Sequence, residues 1–405
     1  MRRFCIDSSV LGTSRHIVGD SEGFVWSDSV PRDAWHMTGS LKLSPTSKCL
    51  DTLFELVDHV PTKVPERHMA AMVSVMSGSF VPVPWQHALP EDDFRIFFKN
   101  LVQETTSVFP RLPFSYYESS WVAASRVLSA LRTARVDVPT LQQFLESPGQ
   151  TAHVAEGFRP GRTGFTHPVT YDRFGTRTGR LTVTSGPNIL GLKRDYKTML
   201  RSSFPDGVVC SLDFRALEAR IVLAESGKFS ASEDMYEDIA QQQFGGRVDR
   251  KSVKVAVLAD LYGISRGTLK SKLAVSDAAV DDFISTIREF FGTDALKKRL
   301  RQEAETSSTI LNRFGRPLRM DVVQDNLLVN TYAQSSGVDL AFHGFDKILR
   351  DLGPDGIRPL YVLHDAVILD VRRDRLVDVQ TSTSVDIPTY DMPFPLKFEQ
   401  VSPDP

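Results

Sequence analysis

The sequence has few cysteines and no long apolar stretch, and both absences narrow the class of protein. Its 405 residues include only three cysteines, far apart and without the spacing of a metal motif: Cys5, Cys49 and Cys210. This pattern favours free thiols in a reducing compartment. No apolar run approaches the roughly 18 residues that a membrane-spanning helix needs. The N-terminal "MRRFCIDSSVLG" lacks the apolar core of a signal peptide. We therefore expect a cytoplasmic protein without a membrane partner.

The chain also lacks a strong net charge, internal repeats and low-complexity tracts. A net charge of −2, with 41% hydrophobic and 24% charged residues, is typical of a globular protein and excludes a uniformly basic DNA-coating protein. Local basic faces remain compatible with nucleic-acid binding. Basic residues cluster in four stretches, at 173–201, 247–254, 297–301 and 313–319. The length is enough for two to four domains or one large enzyme.

The order of the predicted elements favours an α+β fold with an inserted helical lobe. Short β-like pieces in residues 1–60 precede a helical region at about 66–147, and the Gly-, Arg- and Thr-rich residues 156–194 have loop and hairpin composition. Strands flank a long helical stretch, without the strand–helix alternation of a doubly wound fold. The later predicted elements are a strand at 208–212, a helix after Asp213, helices at 232–244, 249–263, 277–291 and 293–306, a β-rich turn at 309–320, a long helix at 322–352, and an apolar strand or hairpin at 360–371.

Two aspartates stand where the surrounding pattern is apolar. Asp213 ends the strand "VVCSL", and Asp365 follows His364 inside "LYVLHDAVILDV". A bare carboxylate in such a setting costs several kcal/mol or takes up a proton, so each must be paired or bind a metal. Each aspartate alone is compatible with a strand-end cap or a buried ion pair. Two such carboxylates from neighbouring strands would instead suit two Mg²⁺ ions of a phosphoryl-transfer site.

One predicted helix carries a polar stripe suited to a nucleotide. Arg250, Lys254, Leu258 and Tyr262 recur every four residues in "RKSVKVAVLADLYG" and therefore lie close together around the helix. The cations would meet phosphates, and the apolar and aromatic residues would meet sugar and base. A surface helix with solvated cations and a buried tyrosine is the alternative for this helix taken alone.

Taken in order, these segments resemble the motifs of DNA polymerase family A. "DFRALEAR" (213–220) resembles motif A, D-Y-S-Q-I-E-L-R, and "RKSVKVAVLADLYG" (250–263) resembles motif B, R-x3-K-x3-F-G-x2-Y-G. "LHDA" (363–366) resembles motif C, V-H-D-E. "TGRLTVTSGPNI" (178–189) and "NTYAQSSGVDL" (330–340) resemble two further family segments. The resemblance runs from about residue 171 to the C-terminus, more than half of the chain.

The resemblance implies a template-directed DNA polymerase that uses primer–template DNA, dNTPs and two Mg²⁺ ions, with Mn²⁺ as a substitute. The implied catalytic and metal-binding residues are Asp213 and Asp365, with the backbone carbonyl of Phe214 as a further ligand. The implied nucleotide-binding residues are Arg250, Lys254, Leu258, Tyr262, Glu218 and Tyr236. Among them, Glu218 would block the 2′-OH of a ribonucleotide. The implied DNA-binding residues are Arg180, Asn188, Asn330, Gln334, His364 and Arg316.

The chain departs from the family motifs at three places. Motif B has Leu258-Ala259 in place of an aromatic residue followed by glycine, and an aliphatic side chain cannot stack on the incoming nucleotide. Motif C has Ala366 in place of glutamate. Motif A has Arg215-Ala216 in place of Ser-Gln, which changes the expected minor-groove contacts. These departures keep two alternatives open, a single-subunit RNA polymerase relative and a catalytically degenerate DNA-binding replication subunit.

The implied architecture is a right-hand polymerase fold with an antiparallel palm. We expect an N-terminal region of unassigned role, which could be an exonuclease remnant, a partner-binding element or part of the thumb. No D-x-E motif occurs in strand context in residues 1–150, so we expect neither proofreading nor a 5′ nuclease. The compact size favours a phage-like enzyme of DNA replication or repair, acting in a bacterial host cytoplasm, with an accessory protein that the sequence does not identify. The expected domains are 1–60 (N-terminal region), 61–165 (thumb), 166–228 (first part of the palm), 229–319 (fingers) and 320–405 (second part of the palm).

Overall fold

The computed structural model describes residues 2–402 except 12, 38–49, 58, 60–61, 77–84, 147–149, 231, 264–265, 274–276 and 391. Cys49 therefore lies outside the described residues. The chain divides into two compact units, Met1–Glu118 and Ser119–Pro405. Their border falls inside the range expected to form the thumb, and the expected domain bounds stay predictions.

The first unit contains a four-stranded sheet with helices around it. The strand order is β3-β2-β1-β4, with β1 antiparallel to β2 and parallel to β4. This sheet confirms the β-like pieces expected near the N-terminus. The strands are β1 (Phe4–Ile6), β2 (His16–Gly19), β3 (Phe24–Ser27) and β4 (Trp35–Met37). The helices are α1 (Ser8–Leu11), α2 (Leu50–Phe54), α3 (Glu66–Met76), α4 (Trp85–Ala88), α5 (Glu91–Val108) and α6 (Phe114–Tyr116).

The second unit is built on a five-stranded antiparallel sheet of order β12-β13-β9-β15-β14. Its central strand, β9, comes from the middle of the chain, and its other strands come from the C-terminal fifty residues or so. The sheet strands are β9 (Val208–Phe214), β12 (Ile357–Leu363), β13 (Ala366–Val371), β14 (Ser384–Ile387) and β15 (Met392–Gln400). Short pairs elsewhere in the unit are β5 (Arg135–Val136) with β8 (Leu200–Arg201), β6 (Thr170–Asp172) with β7 (Thr182–Ser185), and β10 (Thr309–Leu311) with β11 (Pro317–Arg319).

A long buried helix covers one face of this sheet. Alternate residues of β9, from Val208 to Phe214, point into the main apolar core, which also contains much of α16. Gly344 permits the close approach, because a Cβ there would lie 2.5 Å from Cζ of Phe214. The helices of this unit are α7 (Val122–Ala130), α8 (Val138–Leu145), α9 (Gln150–Glu156), α10 (Leu217–Glu225), α11 (Met235–Phe244), α12 (Arg250–Tyr262), α13 (Arg266–Leu273), α14 (Asp277–Phe291), α15 (Thr293–Ser307), α16 (Asp325–Leu352) and α17 (Leu376–Gln380).

Side-chain caps fix the start of α12, which carries the nucleotide stripe, and of the preceding helix α11. The side chain of Asp234 accepts from the backbone N–H of Glu237 at the start of α11, and Asp249 accepts from Ser252 at the start of α12. Helix α12 ends at Gly263, whose φ of +73° is left-handed. A Cβ at Gly263 would also lie 2.8 Å from Cβ of Asn326, so glycine is required there for space as well as conformation.

Most predicted elements are confirmed, with shifts at their ends. The helices expected at 232–306 correspond to α11, α12, α14 and α15, and the strand and helix around Asp213 correspond to β9 and α10. The long helix begins at Asp325 rather than at 322, and α13 was not predicted because its sequence is mostly polar. The apolar run 360–371 is a hairpin with His364 and Asp365 at its turn. None of the helices in the described part of the chain is long and apolar enough to cross a membrane.

Candidate active site

Asp213 lies near the end of β9, the central strand of the five-stranded sheet. The strand's period of two places Val208, Cys210 and Leu212 in the apolar core and leaves Asp213 half-buried on the other face. In the ladders, Asp213 is paired with Ala366 of β13 and with Lys397 of β15. The carboxylate therefore stands between an alanine and a lysine at one end of the sheet.

Asp365 reaches the same end of the sheet from the β12–β13 turn. The backbone N–H of Phe214 donates to the carbonyl of Asp365 at 3.0 Å, which joins the residue after Asp213 to the turn. His364 precedes Asp365 with φ +49°, in the left-handed region that a two-residue turn uses and that few side chains adopt. Asp365 is thus a turn residue rather than a strand residue, and one side of it is open to solvent. The structure brings the two predicted catalytic carboxylates together.

The surroundings of these two carboxylates raise the pKa of both. Burial, followed by the negative charge of Asp365, raises the pKa of Asp213 to about 7, against the opposing charges of Lys397 and Lys197. Crowding by protein atoms also raises the pKa of Asp365, although His364, Arg180 and Lys254 act in the other direction. Carboxylates that repel one another and lose solvation are stabilised in their charged form by a divalent cation. Their oxygen ligands are of the type that Mg²⁺ prefers, so the residues present fit this ion.

Glu218 and Arg180 form an ion pair beside the two aspartates. Glu218 lies in the first turn of α10, and its Oε1 is 2.5 Å from Nη2 of Arg180. Burial raises the pKa of Glu218, and the nearby charge of Asp365 adds to this against the effect of Arg180. The 170–185 hairpin that carries Arg180 is held to β12 by Tyr171, whose hydroxyl donates to the carbonyl of Val362 and accepts from its N–H. The predicted 2′-OH block therefore lies next to the carboxylate pair.

The predicted nucleotide stripe of α12 lies on the solvent-facing side of the helix. Arg250 and Lys254 are exposed, and Leu258 and Tyr262 are half-buried. The opposite side of the helix, which includes Val253, is buried in the core. The charge of Lys254 acts on Asp365, so one cation of the stripe lies within electrostatic reach of the carboxylate pair. Tyr262 also packs partly against the main apolar core, so the burial pattern alone is compatible with both a nucleotide-binding face and an ordinary surface helix.

Arg250, the first residue of α12, is held beside Tyr236 of α11. Its Nε donates to Oδ2 of Asp234 at 2.5 Å, and its guanidinium carbon lies 5.9 Å from the centroid of the Tyr236 ring. Burial raises the pKa of Tyr236 to about 12, and the charge of Glu218 acts in the same direction. Asp234 therefore has two roles: it caps the start of α11, and it orients Arg250 of α12.

The predicted DNA-binding residues fall into two groups. His364 is at the hairpin turn, where burial and the charge of Arg180 lower its pKa. Asn330 and Gln334 are half-buried on α16, and Nε2 of Gln334 donates to Oδ1 of Asn330 at 2.5 Å. One turn further along, a Cβ at Gly337 would lie 3.8 Å from Cγ of Glu218, so this part of α16 lies beside the candidate site.

Arg316 and Asn188, two further predicted DNA-binding residues, both take part in loop structure. Arg316 is only 3% exposed, and its Nη2 donates to the carbonyl of Arg173 at 3.3 Å. A Cβ at Gly179 would lie 2.2 Å from Nη1 of Arg316, so this arginine packs directly under the loop that carries Arg180. Asn188 accepts from the N–H of Gly191 and caps a short 3₁₀ helix. Both residues support the loop architecture; Arg316 is buried, whereas Asn188 is exposed and its assignment as a DNA-binding residue stays a prediction.

A buried polar network lies beneath the candidate site. Nδ2 of Asn312 donates to Oδ2 of Asp339 at 2.7 Å and to Oγ of Ser335 at 3.0 Å. Arg173 lies 4.0 Å from Asp339 and places its guanidinium carbon 4.0 Å from the centroid of the Trp121 ring. The network joins the 170–185 hairpin, the β10–β11 hairpin and α16. It fixes the elements that carry Arg180 and Gln334 relative to each other.

Sequence reasoning missed the basic and acidic residues of β15. Lys397 is paired with Asp213 in the β15–β9 ladder. Nε of Arg194 donates to Oε1 of Glu399 at 2.7 Å. The signal was present in "LKFEQ", where charged residues alternate with apolar ones and so face one side of a strand. The long-range pairing of β15 with β9, which decides what that side faces, cannot be read from the local pattern.

The sheet, the paired carboxylates at its end and the cationic helix beside them define the palm and fingers of a right-hand polymerase fold. The same fold is found in the polymerase domain of Pol1 from M. smegmatis, solved in complex with DNA primer-template and dNTP. The TM-score is 0.57 at 14% sequence identity, and the alignment covers 99% of this chain and 95% of that one. At this identity the likeness shows the fold alone.

The sequence profile of DNA polymerase family A matches residues 152–400, so the chain belongs to this family. It is 24% identical over 308 residues to the thermostable DNA polymerase I of Thermus aquaticus, covering 68% of this chain and 37% of that relative. It is 24% identical over 216 residues to the DNA polymerase of Mycobacterium phage D29, covering 49% of this chain and 35% of that relative. The chain thus spans about a third of the length of these relatives.

Proposed function

We propose that the chain is a template-directed DNA polymerase that adds dNMPs to a primer 3′-OH. The observation that carries the proposal is the meeting of Asp213 and Asp365 at one end of the sheet, joined by the hydrogen bond between Phe214 and Asp365. The raised pKa values of both carboxylates indicate a site that gains stability when a divalent cation is present. Membership of DNA polymerase family A supports the same activity.

The carboxylates of Asp213 and Asp365, with the carbonyl of Phe214, would hold the metal ions. When bound, two Mg²⁺ ions supply activation of the primer 3′-OH and neutralisation of charge on the transferred phosphate, and Mn²⁺ is an expected substitute. The chain's part is to place these oxygen ligands on a rigid sheet and turn. Lys397 and Lys197 reduce the repulsion around Asp213 before a cation arrives.

The exposed stripe of α12 would bind the nucleotide. Arg250 and Lys254 would donate to the triphosphate as charge-assisted hydrogen bonds, and Asp234 holds Arg250 in place. Leu258 and Tyr262 would line the sugar and base side. Because Leu258 offers no π-face, we expect it to contribute only apolar contact with the incoming nucleotide.

Two further groups of side chains would position the sugar and the DNA end. Glu218, fixed by its ion pair with Arg180 and close to Tyr236, would fill the space that a 2′-OH needs. Arg180, Gln334 and His364 would contact the primer–template near its terminal base pair, and Asn330, which accepts from Gln334, would be a further DNA-binding residue. Arg180 serves both groups, since it pairs with Glu218 and its charge reaches Asp365.

Primer extension on a defined template tests the proposal. We expect D213N and D365N each to abolish dNMP addition in Mg²⁺ while the far-ultraviolet circular dichroism stays that of wild type. The matched control is D386N, which removes an exposed carboxylate from β14 of the same sheet and should leave extension unchanged. Substantial extension by either of the first two variants would contradict the assignment of the carboxylate pair.

The same assay separates the two alternatives. A single-subunit RNA polymerase relative would extend the primer with rNTPs in preference to dNTPs. A degenerate DNA-binding subunit would bind the primer–template without extending it under any nucleotide. Ala366 and Leu258 motivate the second alternative, and the ion-paired Glu218 argues against the first.

The proposal also covers fidelity, biological role and partners. We propose that the enzyme lacks proofreading, acts in replication or repair in the cytoplasm of a bacterial host, and works with an accessory protein that the sequence does not identify. The likeness to phage DNA polymerases supports the host assignment. A 3′-mismatched primer tests proofreading directly, because a proofreading enzyme would shorten it before extension.

A further inference from the structure

The N-terminal sheet places three side chains of metal-ligating type on one face. Cys5 of β1 is paired with His36 of the parallel strand β4. Asp7 follows β1 two residues after Cys5, so the period of two returns its side chain to the same face. All three belong to the unit formed by residues 1–118.

The ligand atoms of this cluster lie close enough to share one ion. One ligand atom each from Cys5, Asp7 and His36 lies within 4.8 Å of the other two. Nδ1 of His36 is 2.8 Å from Oδ2 of Asp7, and Sγ of Cys5 is 3.4 Å from Oδ1. His16 stands beside them, with Nδ1 3.6 Å from Oδ1 of Asp7.

A hydrogen bond from the neighbouring backbone makes His16 a neighbour of the cluster rather than a metal ligand. Its Nδ1 accepts from the N–H of Ser8 at 3.1 Å, so that nitrogen is already occupied and the ring proton is on Nε2. The side chains of Asp7 and His36 are 20% and 28% exposed, which leaves a path for an ion and a position for water. Cys5 is fully buried against Val18 and Ala34 and closes the other side of the cluster.

A thiolate, an imidazole and a carboxylate together select a different ion from the one expected in the palm. Thiolate and imidazole ligands favour Zn²⁺ and related transition metals, whereas Mg²⁺ takes oxygen ligands. Three protein ligands and one solvent position are also a common zinc arrangement. We propose that Cys5, Asp7 and His36 bind one Zn²⁺ ion per chain, with water as the fourth ligand.

Zinc binds the thiolate rather than the thiol. In the metal-free cluster Sγ of Cys5 donates to Oδ1 of Asp7 at 3.4 Å, so zinc binding would displace this proton and release it to solvent.

Metal content and a cobalt spectrum of the full chain test the proposal. We expect the protein, purified under reducing conditions and desalted, to retain one equivalent of zinc, and the Co²⁺-substituted protein to show a thiolate-to-cobalt charge-transfer band. The C5S and H36Q variants should bind zinc at least about tenfold more weakly, and C5S should lose the band. The matched control is H68Q, which breaks a histidine–aspartate contact in the same unit that has no thiol partner, and it should keep the metal.

Two outcomes would overturn the proposal, and neither depends on polymerase activity. One is wild-type protein without retained zinc and without the charge-transfer band, even after incubation with Zn²⁺ or Co²⁺. The other is zinc retention unchanged in both C5S and H36Q. If C5S fails to fold, H36Q decides alone, because its side chain is partly exposed. Since the palm ligands are oxygen atoms, the thiolate band cannot arise from Asp213 and Asp365.

Discussion

Ala366 lies directly opposite Asp213 in the ladder between β13 and β9. The resembled motif C has glutamate at this position, and here a methyl group faces a carboxylate whose pKa is already raised to about 7. The alanine spares the site a further negative charge beside Asp213 and Asp365. The substitution thus removes one acidic group without removing either member of the carboxylate pair.

Restoring a carboxylate at this position should make the protein more dependent on divalent cations. We expect A366E to lower the melting temperature in the presence of a chelator, more at pH 9 than at pH 5, because the added charge repels Asp213. Mg²⁺ should recover most of the loss. Differential scanning fluorimetry measures it, with A366Q as the uncharged control of equal size. Equal melting temperatures for A366E and A366Q at pH 9 would contradict this electrostatic account.

The raised pKa of Asp213 predicts a dependence of stability on pH. The folded state holds this proton more tightly than the unfolded state, in which the pKa returns toward 3.8. The contribution of Asp213 to the free energy of unfolding is therefore greatest below pH 3.8. It falls as the pH rises from 3.8 to about 7, and it stays constant at higher pH. Urea denaturation in chelator should show a shallower fall for D213N than for wild type.

D386N provides the control for that experiment, because Asp386 is an exposed carboxylate of the same sheet. It should follow the wild-type curve across the interval. A D213N curve parallel to wild type would mean that Asp213 is not the group responsible for the slope.

Lys254 should contribute to nucleotide binding more than its neighbours on the same helix. We expect K254M to raise the KM for dNTPs about 10- to 100-fold, in line with the roughly 1.5–3 kcal/mol of a hydrogen bond to a charged group. The loss of its charge should also raise the pKa of Asp365 further. Steady-state primer extension at varied dNTP measures the effect. K251M, at an exposed position of α12, is the control, and equal KM values for the two variants would remove Lys254 from the triphosphate site.

Local sequence patterns predicted the elements of the palm but not their partners. The change of period at Asp213 marks the end of β9 and the start of α10, because strand and helix repeats differ. The pairing of Asp213 with Lys397 is a contact between residues far apart in the chain, and no local pattern encodes it. The run around Asp365 was predicted as a strand or a hairpin; the structure shows the hairpin, and its two-residue turn with His364 at positive φ places Asp365 at the end of the sheet.

Arg316 shows what residue type leaves open about the surroundings of a side chain. The family resemblance implied a DNA-binding role for it, and most arginines are exposed. Here the guanidinium is buried against Gly179 and the carbonyl of Arg173, because the β10–β11 hairpin packs under the Arg180 loop. These contacts join segments far apart in the chain, and no local pattern encodes them.

Glu218 should set the preference for deoxynucleotides through its size rather than its charge. It is held beside the carboxylate pair by the 2.5 Å contact with Arg180, so its side chain fills a fixed volume. We expect E218A to lower the ratio of dNTP to rNTP incorporation efficiency by at least about tenfold, because the space for a 2′-OH opens. E218Q keeps the volume without the charge and should retain most of the discrimination. Single-nucleotide addition with matched dNTP and rNTP measures the ratio, and loss of discrimination in E218Q equal to that in E218A would show that the ion pair with Arg180, rather than bulk, excludes the ribose.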